Sequence, residues 1–365
     1  MADDTEDSDL IARAKSWFRD GDTKRSQWAD EARECYKFRA GDQWSADDLE
    51  KLKTENRPAI TFNRVGPIVN AVTGSEVSNR QEVRYIPREQ GDAGVNEVLT
   101  SAAEWVRDEC DAADEESDAF EDLVICGMGW TETRLDYETD PEGKIRIERV
   151  DPLEMYWDQN AKRKNLDDSR YVMRVRDIAL TEAKAMFPDA DESILNAGWA
   201  QAFGEDDGGK PHDATRARFY EQDNKAVNKD ELCRIVEIQW WDRKPVWSVA
   251  NRLTGKIETL EKDQYDQAKD LIKKSGMKAV KQWVRHYKRA FLGADVLEEG
   301  DSPVEGFTYR AMTGYRDREN GRWYGLVKGA IDPQRWANKW LSQSLNIMNN
   351  AAKGGLYVES GAIKN

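Results

Sequence analysis

The sequence is poor in the residues that carry most protein chemistry. Of 365 residues only two are histidines, His212 in a polar stretch and His286 in a basic one. Neither has a triad or metal-ligand partner at a useful spacing. No G-x-x-x-x-G-K-[ST] and no G-x-G-x-x-G following a strand pattern occurs, so neither of these phosphate-cradling loops is expected. The four cysteines, Cys35, Cys110, Cys126 and Cys233, are scattered without a CxxC pair and read as reduced small hydrophobes of a cytosolic setting. No apolar run approaches a membrane span, and MADDTEDSD at the start lacks the basic-then-apolar order of a signal peptide. Carboxylates are plentiful, yet Asp151, Asp158, Asp167 and Asp168 fit no ligand pattern, and Asp206-Asp207-Gly208 is too short for a calcium loop. We therefore expect no catalytic constellation, no metal and no cofactor.

What the chain has is charge and tryptophan. There are 55 Lys+Arg against 70 Asp+Glu, a net charge of −15, with a pI near 4.9 and a mean hydropathy of −0.85. Such a balance does not suit a freely diffusing nucleic-acid binder, because phosphate binding is driven by positive charge. Any such contact has to come from a local basic face. The 14 tryptophans are a high count, and Trp is favoured where a large body is buried, subunit interfaces included.

Taken in order, residues 9–40 predict one or two helices, with Gly41 at their end. Ala59–Asn63 is an extended piece after the Asn56-Arg57-Pro58 break. Val65–Ser78 predicts a helix, Val83–Pro87 a strand, and Gly94–Cys126 one long helix. That helix holds nine acids and one base between Arg107 and Asp122; such a run is a solvated face, or else a patch that repels a polyanion or takes a basic partner. Trp130–Glu138 and Lys144–Val150 alternate in period two around a turn and predict a hairpin. Met155–Trp157 and Tyr171–Val175 are further strands, with a short helix from Thr181 to Phe187. Residues 204–213 form a polar loop, and Arg234–Trp241 with Val246–Asn251 a second hairpin. Without a regular βαβ rhythm, the fold class is α+β with mostly antiparallel pairing.

The stretch from Glu261 to Ala352 reads as helix, β-rich insert, helix. In the first helix, Glu261 to Tyr287, Lys274, Lys278, Lys281, Arg285 and Lys288 fall on one face. Ile272, Gly276, Val280, Trp283, Val284 and Tyr287 fall on another. No acid occurs between Leu271 and Ala294. Within the insert, Phe291–Leu297, Val304–Tyr309 and Arg322–Tyr324 predict strands, Asn320-Gly321 a hairpin turn and Glu298–Asp301 an exposed acidic loop. The second helix has Asp332 as N-cap and Pro333 at its first position, and Gly354-Gly355 stop it. One half carries Trp336, Trp340, Leu341, Leu345, Ile347 and Met348. The other carries Arg335, Asn338, Lys339, Ser342, Gln343, Asn346, Asn349 and Asn350, uncharged beyond Lys339. Such a pair is either a helical hairpin packed on a sheet or a stalk carrying the insert at its tip.

Several motifs together make the sequence resemble the portal (head-tail connector) proteins of tailed bacteriophages, the short-tailed podovirus type in particular. They are FRAGDQW at 38–44, RPAITFN at 57–63, Asn70, Gly74, Asn79-Arg80, the run Cys126-Gly127-Met128-Gly129-Trp130, RVDPLEMYWD at 149–158 with Ala161, and GLVKGAIDPQRWANKW at 325–340. The resemblance covers most of the chain from about residue 28. It implies a mixed helical and antiparallel β wing over 1–260, a first stem helix over 261–287, a small α/β clip over 288–323, and a second stem helix with the start of a return strand over 324–365. The return to the wing, the tunnel helix and loop and the crown have no counterpart in these residues, so the chain is expected to be the N-terminal part of such a protein.

The resemblance also implies a dodecameric ring at one virion vertex, assembled in the host cytoplasm. Its partners would be the terminase large subunit, head-completion or tail adaptor proteins, capsid and scaffolding proteins, and double-stranded DNA passing non-specifically through the bore. No membrane partner is implied. In that frame the stripe Lys274, Lys278, Lys281, Arg285 and Lys288 lines the DNA channel, or else faces outward or pairs with acids on a neighbouring subunit. Trp283, Trp336, Trp340, Leu341, Leu345 and Met348 pack the stem and the oligomer. Glu298, Glu299 and Asp301 dock the motor on the clip, or are a merely solvated loop. The other classes left open are a metal-dependent nuclease or other nucleic-acid enzyme, and a monomeric scaffold or adaptor without a channel.

Overall fold

A computed structural model describes residues 3–80, 82–87, 93–137, 140–191, 193–195, 232–250, 257–274 and 277–351. The chain is mixed α+β, and it divides into two compact units. One comprises residues 1–25 and 153–310, the other 26–152 and 311–365. The expected loop at 204–213 with His212, the stop at Gly354-Gly355 and the return strand lie outside the described residues.

The first unit is built on a six-stranded antiparallel sheet. Its strands are β3 (Met155–Trp157), β4 (Tyr171–Ala179), β5 (Leu232–Ala250), β6 (Ile257–Leu260), β7 (Ala279–Leu292) and β8 (Val296–Asp301). The order is β3-β4-β5-β7-β8, with β6 also on β5. The first residues of α1 (Asp3–Ala40) cover one face, placing Leu10, Ala14 and Phe18 among Tyr171, Met173, Ile238, Trp240 and Leu292. A short helix, α6 (Leu180–Met186), helps cover the other with Ala183, Phe187 and Phe291.

Strand β5 replaces the expected second hairpin. It runs 19 residues without a turn, and Pro245 sits inside it opposite Trp283. Proline is tolerated there because β4 reaches only to Trp240 and β6 begins at Trp247, so the flank beside Pro245 has no ladder donor to lose.

The expected first stem helix is also overturned. The helix α7 stops at Lys274 (Lys262–Lys274), and residues 279–292 are strand β7, paired along their whole length with β5. Val280, Trp283, Val284 and Tyr287 are β-branched or aromatic, and a fourteen-residue partner strand outweighs a helical spacing of lysines.

The second unit gathers the rest of α1, then α2 (Ala46–Thr54), α3 (Val65–Ser78), α4 (Ala93–Glu109), α5 (Ala112–Cys126), the hairpin β1 (Met128–Asp136)–β2 (Lys144–Val150), and a C-terminal helix, α8 (Lys328–Ala351). Strand β9 (Tyr309–Thr313) joins this sheet in the order β2-β1-β9, and β10 (Tyr315–Arg316) pairs with β11 (Trp323–Tyr324) across the expected Asn320-Gly321 turn. Its core brings Cys35, Phe38, Val65, Val69, Val124, Ile125, Val327 and Ile331 together. The long helix expected over 94–126 is two helices, broken where Asp111 takes φ 50°.

The acid-rich run is largely tied down internally. Glu109 meets Lys144, Asp114 Arg80, Glu116 Arg107, Glu121 Arg39 and Asp122 Arg149, while Glu115 accepts the Arg149 backbone N–H. Val83–Pro87 forms no strand. It is exposed and lies outside any helix or strand.

Candidate functional site

The C-terminal helix α8 is docked by its polar side. Its buried residues are Ile331, Gln334, Asn338 and Ser342, a stripe of i, i+3, i+7 and i+11. Three of them hold the segment 60–64, which leads into α3, through its backbone. The Ser342 hydroxyl accepts from Ile60 N–H (3.1 Å), Asn338 Oδ1 from Phe62 N–H (3.0 Å) and Gln334 Oε1 from Arg64 N–H (3.3 Å), while Gln334 Nε2 donates to the Phe62 carbonyl (2.8 Å). The spacing explains the fit. Four helical residues rise about 6 Å and two extended residues about 6.6 Å, so every fourth helix position meets every second amide.

The network reaches further. Asn338 Nδ2 donates to Gln43 Oε1 (2.7 Å), and Gln43 Nε2 donates to the Phe38 carbonyl (2.9 Å) and to Asn63 Oδ1 (3.0 Å). FRAGDQW, RPAITFN and the end of GLVKGAIDPQRWANKW, far apart in sequence, thus meet in one polar network. Ion pairs complete the docking: Lys328 with Glu31 (2.7 Å), Lys339 with Asp48 (3.0 Å), and Arg335 with Glu34. Helix α8 begins at Lys328, one turn before the expected Asp332 cap, because burial of Val327 and Ile331 draws the first turn into the core. Pro333 lies just inside the helix, where it forgoes one backbone bond.

With the polar side inward, the aromatic side faces out. Trp336 is 73% exposed and Trp340 72%, with Ile347 and Met348 also exposed and Leu341 and Leu345 half-buried. Nothing in this unit covers that face among the described residues.

Glycines in the 126–130 run are required by close approach. Gly127 ends α5 at φ 90°, and a Cβ there would lie 2.3 Å from the Tyr324 backbone. A Cβ on Gly129 would lie 1.9 Å from the Ala119 carbonyl oxygen. Beside them Asp122, 4% exposed, accepts from Tyr36 Oη (2.7 Å) and pairs with Arg149 through Nε (2.5 Å) and Nη2 (3.0 Å). Burial raises the Asp122 carboxyl above its ordinary value, against the lowering pull of Arg149 and Tyr36. Burial also pushes the Cys35 thiol up to about 12 and raises Cys126 further.

In the first unit, the basic stripe does not share one face. Lys274 ends α7, Lys278 lies before β7, and both are exposed. Along β7 the period is two, so Lys281 and Arg285 lie on one face with Trp283, and Lys288 on the other. Lys281 Nζ sits over the rings of Trp283 (5.0 Å) and Trp247 (5.6 Å), and the Arg285 guanidinium over Trp241 (4.4 Å), donating also to the Asp167 carbonyl (2.8 Å). Lys288 is neutralised by Glu299 (2.6 Å). Trp283 is 61% exposed on this strand and packs no helical stem, because residues 279–292 form no helix.

The acidic residues of the insert belong to the β7–β8 hairpin. Glu299 is held by Lys288, and Asp301 Oδ1 lies 2.8 Å from His286 Nε2. Glu298 is exposed, with no partner among the described residues. Among the described residues no group of three or more His, Cys, Asp or Glu is placed to hold a metal, and no helix is long and apolar enough to cross a membrane.

The polar docking of α8 was missed in sequence. Its one signal was the lack of charge on the polar half beyond Lys339, since a solvent-facing helix side of that length ordinarily carries charge.

The portal protein of Helicobacter pylori bacteriophage KHP30 is 24% identical over 157 residues, 43% of this chain and 26% of that protein, so the chain matches about a quarter of that relative's length. The Phage P22-like portal protein family matches over residues 15–365, nearly the whole chain, and the three motif groups that converge on the α8 network all lie inside that match. The chain belongs to the P22-like portal protein family.

Proposed function

We propose that this chain is the subunit of a ring-shaped portal at a virion vertex, through which double-stranded DNA enters and leaves. The observation that carries the reading, beside family membership, is the exposed face of Trp336, Trp340, Ile347 and Met348 on α8. A rigidly docked helix that turns two tryptophans to solvent is a surface made to be covered, and a neighbouring copy covers it in a closed ring. Twelve copies, the number the motif resemblance implies, is the expected ring.

Within the ring, Lys274 and Lys278 are the best candidates for weak, sequence-independent phosphate contacts, being exposed and without a carboxylate or aromatic partner among the described residues. Lys281, Arg285 and Lys288 are less available, because rings or Glu299 already engage them. The net charge of −15 keeps the bore from gripping a polyanion. The β7–β8 hairpin is the candidate docking point for the terminase large subunit and the later tail adaptors, with Glu298 as the one acid there not engaged internally among the described residues. Capsid and scaffolding proteins complete the partners, with assembly in the host cytoplasm.

Negative-stain electron microscopy of the intact protein tests this. Rings with a central channel are expected. Particles without a channel at micromolar concentration would favour the monomeric adaptor instead.

A further inference from the structure

Strand β7 has an open edge. Strand β8 pairs with it only from Lys288 to Leu292, so residues 279–287 have β5 on one side and, among the described residues, no strand on the other. The direction of the free backbone groups follows from two observations. The Tyr287 carbonyl accepts from Ser302 N–H on the outer side (2.9 Å), and Pro245 sits opposite Trp283. Both require the odd-numbered residues to point away from β5. The N–H and C=O groups of Lys281, Trp283 and Arg285 therefore lie on the open edge, with Val280, Trp283 and Val284 exposed along it (56%, 61% and 46%). An exposed apolar edge of this length is a template for another strand.

The second unit holds a segment of matching form. Residues 82–87, Glu-Val-Arg-Tyr-Ile-Pro, lie outside any helix or strand and are exposed, Ile86 by 81% and Val83 and Tyr85 by 50% each, and the ion pair between Glu82 and Arg84 sets alternate side chains on one side, as an extended run does. Tyr85 N–H is used by Thr100 Oγ1 (3.1 Å). The opposite edge, carrying the backbone groups of Glu82, Arg84 and Ile86, has no partner among the described residues. Pro87 falls on the Tyr85 side, so its missing N–H costs that free edge nothing. Glu82 and Arg84 share a face, as period two requires, and are ion-paired at 2.6 Å.

We propose that in the assembled ring residues 82–87 of one copy add as an antiparallel strand to the open edge of β7 in the next copy. This rests on the ring reading above. Of the three registers that keep all three pairs within residues 279–287, only one satisfies both backbone and charge. Glu82 opposite Arg285, Arg84 opposite Trp283 and Ile86 opposite Lys281 makes every pair a hydrogen-bonded one. It also sets a carboxylate against a guanidinium and a guanidinium against an indole face. Sliding by two residues either way puts Arg84 against Arg285 or Lys281. In the favoured register Val83 and Val284 form a non-hydrogen-bonded pair, with Cα atoms about 4.5 Å apart, within reach of a disulfide.

The test uses two versions of the intact protein in a Cys110→Ser background, one with Val83→Cys and the other with Val284→Cys, mixed and oxidised under assembly conditions. The expected result is an inter-chain disulfide in the ring fraction. A Val83→Cys with Val280→Cys mixture should give less than a tenth of that yield. Glu82→Arg should reduce the Val83–Val284 yield several-fold, and Arg285→Glu in the partner chain should restore it. Rings of normal appearance without the cross-link would overturn the pairing and leave the ring standing. Equal yield at Val280 would overturn the register. Chains that stay monomeric would overturn both pairing and ring.

Discussion

Asn338 and Phe62 are joined through the Phe62 backbone: its N–H donates to Asn338 Oδ1 at 3.0 Å, while the other end of the same amide donates to Gln43. One side chain thus ties a helix, an extended strap and the turn after α1. Asn338→Ala removes both bonds, together with the one Asn338 Oδ1 accepts from Gln334 Nε2, and leaves the Gln43 oxygen buried without its donor, at a cost of about 2–4 kcal/mol. Urea denaturation should show a lowered midpoint with an unchanged slope. A loss under 0.5 kcal/mol would mean the strap is held by other contacts.

Gly127→Ala and Gly129→Ala should each cost more than about 3 kcal/mol, because the added methyl meets backbone rather than a movable side chain. Gly300→Ala, in β8 with nothing within 4 Å of the added atom, is the control and should fall within about 0.5 kcal/mol of the parent. Thermal melts of the three variants decide this.

Arg149→Met should destabilise strongly at pH 8 and less at pH 5. The Asp122 pKa is already raised in the folded state by burial, and Arg149 is the main opposing influence. Without it the pKa rises further. A carboxyl whose folded pKa lies above its unfolded value gains stability as pH falls through the folded pKa, and the gain is complete below the unfolded value near 3.8. Denaturation midpoints across that range should therefore converge toward the parent's on the acid side. A constant difference would show that Asp122 does not take up a proton.

Thiol titration with a disulfide reagent at pH 8 should find one reactive cysteine in the native protein and four after unfolding. Cys35, Cys126 and Cys233 are buried with raised pKa values, and at pH 8 a thiol near 12 is ionised about once in ten thousand molecules. Cys110 is half-buried and should be the one that reacts. Fast reaction of two or more would mean that the core around Cys35 and Cys126 opens readily.

Local signals in the sequence identified most elements: the β1–β2 hairpin, the Gly321 turn, α3 and the short strands β3 and β4. The failures share a physical cause. Lys274, Lys278, Lys281, Arg285 and Lys288 are spaced four and three apart, which on its own reads as a helix face. What makes 279–292 a strand is the fourteen-residue partner in β5, thirty or more positions away and invisible to a local window. In α8 the helix was legible but its orientation was not. Apolar residues are ordinarily inside, and only a strap with free amides at twice the strand spacing could draw Gln334, Asn338 and Ser342 inward. The break at Asp111 and the unpaired state of residues 82–87 likewise depend on the chain around them.

The most direct test of the portal account is the mass distribution of the intact protein at micromolar concentration, measured by mass photometry beside the double variant Trp336→Glu, Trp340→Glu. The account predicts a closed oligomer for the parent. For the variant it predicts monomers whose melting temperature and circular dichroism match those of the parent subunit, since both tryptophans are more than 70% exposed. A parent that stays monomeric would contradict it, as would a double variant that assembles as the parent does.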